Sequence, residues 1–118
     1  MTCKKDLDLE KSWTLLLSKI KATTGKRPKD LNAVLFLIGI QELGQGPRSF
    51  SKEEKQDIMH IAICKVLSLA GYYKLESLDQ DGWPHWVAQK KLPKFDLLEQ
   101  EKLLKLQILQ YFDIELNW

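Results

Sequence analysis

The sequence predicts a mainly α-helical fold, a small bundle of about four helices with a short β-hairpin or loop inserted before the last helix. Three observations predict it. Apolar residues recur at helical spacing in several stretches. Those stretches are bounded by capping residues and by glycine stops. One segment, from Tyr72 to Lys91, has a different texture, with aromatic residues on both sides of Asp79-Gln80-Asp81-Gly82. The 118 residues read as a single domain, 1–118. A chain of that length buries roughly two-thirds of the surface it exposes when unfolded, enough for one core.

In the first helix, Leu9, Trp13, Leu16, Leu17 and Ile20 share one face. Asp6, Asp8 and Glu10 at its start and Lys19 and Lys21 at its end complement the helix dipole, and Thr23-Thr24-Gly25 stops it. Pro28 suits the first turn of a second helix, read from Asp30 to Leu43 and ended by Gly44. Its apolar residues run all the way round, from Leu31 and Val34 to Leu37, Ile38 and Ile40. Such a helix belongs in the middle of a bundle, and an acidic residue at Leu37 is expected to abolish folding. A buried strand is the rival reading of Val34 to Ile40, and the Leu and Ala content and length favour helix. Gly44-Gln45-Gly46-Pro47 is the strongest turn signal. Behind it Ser51 and Glu54 have the spacing of a capping box, opening a third helix that carries Ile58, Met59, Ile61, Ala62, Val66 and Leu69 and ends at Gly71. Asp96 and Glu99 repeat that spacing at the start of a fourth helix running through Leu97, Leu104, Ile108, Tyr111 and Phe112. Between the two, Tyr73, Leu75, Trp83, Trp86 and Val87 surround Asp79-Gln80-Asp81-Gly82, a natural turn between two short extended runs, which reads as a β-hairpin. Pro84 cannot donate to a ladder, so the second strand must be an edge or an irregular one.

Composition narrows the class. With 44% hydrophobic residues, 6 Gly and 4 Pro, the chain is neither disordered nor fibrous. The net charge is +2, and among 18 bases only Arg27 and Arg48 are arginine. Arginine is the residue suited to bidentate phosphate and base contacts, so this balance argues against a nucleic-acid partner. Cys3 and Cys64 are too few for a disulfide framework and suit a reducing compartment. The N-terminus has no apolar run of the signal-peptide kind, and Ala33 to Ile40 is far short of the about 20 residues a membrane helix needs. A cytoplasmic protein with no membrane partner is the expectation.

Five constellations could carry chemistry. The glycine-rich loop from Gly44 to Lys52, with Arg48, Ser49 and Lys52 as donors before a helix N-terminus, could hold a phosphate or carboxylate. It has neither the P-loop nor the dinucleotide spacing. A turn leading into a capped helix, with Phe50 docked on the core, explains it more simply, because the cap already uses the N–H groups an anion would want. His60 and Cys64 share a helix face and His85 could join them, but zinc sites need four ligands and Cys3, near the terminus, is a poor fourth. Burial of Cys64 among Ile61, Ile63 and Val66 would also raise its pKa and blunt it as a nucleophile. The stretch Ser77 to Gly82 has the acidic spacing of a calcium loop but lacks acidic residues at Ser77 and Ala88, where that pattern needs them. Asp79 and Asp81 suit a tight turn instead. Lys19, Lys21, Lys26, Arg27 and Lys29 gather five bases in eleven residues with no aromatic for base stacking, and read as a solvated helix end.

The fifth is the aromatic segment. Trp83, His85 and Trp86, with Tyr73 nearby, are the residue types enriched at binding hot spots, and a Pro-bearing hairpin displays them rigidly. The competing reading has the tryptophans plugging the end of the bundle. No Ser–His–Asp series, metal-binding His pair or paired carboxylates stand out, so no catalytic residue, metal or cofactor is assigned.

The segments Glu42-Leu43-Gly44-Gln45-Gly46-Pro47, Phe50-Ser51-Lys52-Glu53-Glu54-Lys55, Gly71-Tyr72-Tyr73 and Asp79-Gln80-Asp81-Gly82-Trp83-Pro84-His85-Trp86 resemble a set of small uncharacterised bacterial proteins. The resemblance spans roughly Leu31 to Phe112 and implies no activity, substrate or catalytic residue. The functional expectation is therefore a non-enzymatic interaction module presenting the aromatic hairpin to a protein partner or to a second copy of itself. The alternative is a small anion or nucleotide binder, or an enzyme, built on the Gly44–Lys52 loop.

Overall fold

The computed structural model describes residues 4–45, 48–92, 94 and 96–118, with side chains from Leu7 onward. The elements, in chain order, are α1 (Lys4–Thr24), α2 (Leu31–Leu43), α3 (Lys52–Ser68), β1 (Tyr73–Leu78), β2 (Pro84–Ala88) and α4 (Leu97–Leu116). The fold is mainly α, with the hairpin placed before the last helix as the sequence predicts.

The helix boundaries follow from their caps. Asp30 accepts the Ala33 N–H at 2.8 Å to open α2, and Gly44, in the left-handed region at φ 70°, donates to the Ile40 carbonyl to close it. At α3, Ser51 Oγ accepts the Glu54 N–H at 3.1 Å while Glu54 Oε1 accepts the Ser51 N–H at 3.0 Å, a complete capping box. Asp96 caps α4 through the Glu99 N–H at 2.8 Å. The α3 helix proper stops at Ser68, three residues before Gly71, whose positive φ lets the Tyr72 N–H reach back to the Leu67 carbonyl.

All four helices feed one apolar core. Trp13, Leu16 and Ile20 come from α1, and Val34, Leu35 and Ile38 from α2. Ala62, Val66 and Leu67 come from α3, and Ile108, Tyr111 and Phe112 from α4. The α2–α3 contact is the closest. A Cβ at Gly39 would collide with the carbonyl oxygen and Cγ2 of Ile58, so the absence of a side chain there sets the spacing of the two helices.

One expectation for α2 is corrected. The helix is apolar all round, yet Leu37 is 37% exposed and Phe36 and Ile40 are only half-buried. The described helices therefore leave α2 one side partly open to water and do not cover it all round. At the other end of the chain, Asn117 adopts φ 56° and Trp118 folds back. Its N–H donates to the Phe112 carbonyl at 3.2 Å and its ring stacks on Phe112 at 5.2 Å between centroids.

The strands pair antiparallel, with Tyr73 opposite Ala88, Leu75 opposite Trp86, Ser77 opposite His85 and Leu78 opposite Pro84. A bulge between Leu75 and Ser77 absorbs one residue. Pro84 stands at the first position of β2, where it interrupts no ladder.

Candidate functional site

Chain connectivity brings the two sequence-predicted segments together. The α3 helix leads up from the Gly44–Lys52 loop and the hairpin returns alongside it, so the hairpin tip lies against that loop. Gln45 Nε2 donates to the Asp81 carbonyl at 2.9 Å, joining positions 36 residues apart.

Within the loop Arg48, the residue assigned as the main anion contact, is engaged in the protein's own structure. Arg48 Nη2 donates to Glu54 Oε2 at 2.9 Å and to Gln45 Oε1 at 3.1 Å, and its Nη1 donates to the Ser49 carbonyl at 3.2 Å. The guanidinium also lies 4.4 Å from the centre of the Phe50 ring, which packs edge-on against Phe36 of α2. Ser49 and Lys52 are exposed, and Gly46 and Pro47 fall outside the described residues. Glu54 completes the arrangement. The Ser51 N–H, and then the Arg48 guanidinium, hold its carboxyl below its ordinary value of 4.5, keeping a negative charge at the helix N-terminus.

The hairpin tip is built on Asp79. One carboxylate oxygen, Oδ1, accepts the N–H groups of Asp81 and Trp83, both at 2.9 Å, and Oδ2 lies 3.2 Å from His85 Nε2. The Trp83 N–H is the foremost reason this carboxyl sits below its ordinary value of 3.8, with His85 and the Asp81 N–H adding to it. Trp83, Trp86 and Tyr73 are half-buried, Tyr73 packs against the helical core, and His85 is exposed. The Trp86 indole N–H is buried with no hydrogen-bond partner among the described residues, so packing alone holds that ring. The hairpin's exposed apolar surface is aliphatic: Leu75, Leu78 (63% exposed) and Val87.

The remaining candidates resolve simply. Cys64 Sγ lies 3.5 Å from His60 Nε2, but the thiol is fully buried and burial pushes its pKa up to about 11, the opposite of an activated nucleophile. Among the described residues no group of three or more His, Cys, Asp and Glu side chains converges as a metal site would require, and Cys3 lies outside them. The five bases from Lys19 to Lys29 are exposed at the α1–α2 turn, where Arg27 donates to Ser18 Oγ at 3.2 Å. No helix of the described residues is long and apolar enough to cross a membrane.

One polar cluster was not legible in the sequence. Tyr111 of α4 donates its hydroxyl to Glu42 Oε2 of α2 at 2.9 Å. Lys65 of α3 stands 3.6 Å from Glu42 Oε1 and 3.1 Å from Glu115 Oε1. Burial, then the neighbouring Glu42 charge, pushes the Tyr111 phenol well above its usual range, so it stays a donor. The cluster ties three helices together. The comparisons with known proteins add no assignment: no family model, curated protein or solved structure matches this chain.

Proposed function

We propose that the protein is a non-enzymatic interaction module whose docking element is the β1–β2 hairpin. The observation that supports this most is the contrast at the hairpin itself. Its tip is fixed by four bonds to Asp79 and Gln45, while Leu75, Leu78 and Val87 stand out in water. A rigid element displaying apolar side chains loses little entropy on docking. The sheet has two strands, so each also has an outer edge able to pair with an extended segment of a partner. Leu75 stands opposite Trp86 and shares its face of the hairpin with Tyr73, while Val87 and His85 lie on the other face, so both faces carry candidate docking residues.

The loop reading draws less support, because Arg48 is held by Glu54, Gln45 and Ser49 and the cap has taken the N–H groups of Ser51 and Glu54. The test is competitive. Leu78→Asp and Val87→Lys leave the core untouched and should keep the melting temperature within a few degrees of wild type while losing the proteins that wild type captures from its native lysate. A captured protein should then bind purified wild type directly and the variants at least about tenfold more weakly. Equal binding by both would sink the hairpin reading. Stabilisation by inorganic phosphate that Arg48→Ala removes would replace it with the loop reading.

A further inference from the structure

The α1 and α4 helices run side by side in the same direction, with Lys105 Nζ of α4 bound to Glu10 Oε1 of α1 at 3.1 Å. On the side away from that bond the two do not close. Two clefts of about 500 and 290 Å³ lie end to end along the seam and share Ser12 and Leu109 in their walls. Leu15 (63% exposed) and Leu106 (49% exposed) stand at their edges.

The residues along this face follow a pattern. On α1, Asp8, Ser12, Leu15 and Lys19 fall at i, i+4, i+7 and i+11. On α4, Lys102, Leu106, Leu109 and Asp113 repeat the same spacing with the charges reversed. Asp8 and Lys102 line the cleft at the helix starts, and Lys19 and Asp113 line the one at the helix ends. The four corners therefore alternate in sign around an apolar centre.

We propose that this face is a self-association surface, occupied by the same face of a second copy of the chain. The charge pattern selects the occupant. A two-fold axis lying in the plane of the face, along or across the helices, sets each Asp8 opposite Lys102 or Lys19 of the second copy. It likewise sets each Asp113 opposite Lys19 or Lys102. A nucleic acid, an anionic membrane or an acidic helix meets two repulsive corners for every two attractive ones. The leucines between the corners then bury each other, which gives a contact apolar at its centre and charged at its rim. The contact is separate from the hairpin, so the protein can hold a second copy and a different partner at once.

Sedimentation velocity on the wild-type chain, from about 10 μM to about 1 mM, covers the range expected of so small an interface. A monomer–dimer equilibrium is expected, weakened by added salt. Leu15→Asp combined with Leu106→Asp should raise the dissociation constant about a hundredfold with unchanged circular dichroism and melting temperature, because both side chains are exposed in the single copy. Asp8→Lys combined with Asp113→Lys makes all four corners basic and should also leave monomers at low salt. The hairpin variant Leu78→Asp should dimerise as wild type does. A wild type that stays monomeric throughout overturns the proposal. So does a dimer that survives the leucine or the corner variants, or one that Leu78→Asp abolishes.

Discussion

The α2–α3 pair and the α1–α4 pair are built to different standards of closure. Between α2 and α3 the backbones approach so closely that Gly39 has no room for a Cβ, and Val34, Ile58 and Ala62 have no exposed surface. Between α1 and α4 the contact rests on Trp13, Leu16 and a surface ion pair from Lys105, whose ammonium also lies 5.5 Å from the centre of the Trp13 ring. Beside that contact run two clefts edged by exposed leucines. Interiors tolerate no gap of that size without cost, whereas surfaces do. The difference teaches that α2–α3 is the mechanical centre of the fold and that the α1–α4 seam is surface on one side and core on the other.

Gly39→Ala gives the largest effect that this contrast predicts. The added methyl has only Ile58 to displace, backbone as well as side chain, and overpacking of this kind costs about 3 kcal/mol. Chemical denaturation should show it as a lower midpoint with unchanged slope. A loss below about 0.5 kcal/mol would mean the two helices slide apart freely, and the ranking of the two pairs would collapse.

Tyr111→Phe comes next and probes the polar cluster that binds α4 to the closed pair. The hydroxyl donates to a carboxylate that Lys65 still partners after the change, so the loss is one charge-assisted hydrogen bond, about 1.5 kcal/mol. The further change Glu42→Gln on that background should add little through Tyr111, and a double-mutant cycle measures the coupling.

How much of this was readable beforehand depends on range along the chain. Caps act within four residues, and Ser51 and Asp96 were each legible from local spacing alone, whereas Pro28, read into the first turn of α2, lies before it and Asp30 is the cap. The hairpin was legible for the same reason, since Asp79 organises its turn within six residues. The Glu42–Tyr111 bond joins positions 69 apart, and no local pattern announces it. The exposure of Leu37 was hidden differently: periodicity reports which faces are apolar, not how many neighbours exist to cover them. Trp118 had a signal that went unused. An asparagine able to take the left-handed cap position, followed by a large apolar residue, is the form of a helix end that folds back onto its own last turn. At the candidate site, the cap that follows the loop was legible from Ser51 and Glu54, while the hairpin's exposed leucines were overshadowed by its tryptophans.

Leu15→Ala and Leu106→Ala test the loose side of the comparison. Measured at a concentration low enough to keep the protein monomeric, each should change stability by less than about 0.5 kcal/mol, because about half or more of each residue is already exposed to water. A loss of about 2 kcal/mol from either would show that the seam is core, and the contrast with α2–α3 would shrink accordingly.

Acid provides the finest test, and its sign follows from Glu54 at the start of α3. Its carboxyl is held below the ordinary value of 4.5 by the Ser51 N–H and by Arg48, so the folded chain binds a proton there less readily than the unfolded chain does. The contribution is fully present above that ordinary value and drains away as the pH falls through the lower, folded value. Melting temperatures recorded from pH 7 down to about pH 3 should therefore be level near neutrality and fall below about pH 4.5. Glu54→Gln keeps a side-chain oxygen for the Ser51 N–H and so preserves the cap while removing the titration. The variant should start slightly below wild type at neutral pH, having lost the ion pair with Arg48, and then fall less steeply in acid, the remaining slope carrying Asp79, whose carboxyl is also held low. Because Glu54 and Arg48 both meet solvent, the difference between the two curves is small and shrinks further with salt. An acid slope identical in the two proteins would place the acid-labile contacts outside the α2–α3 joint.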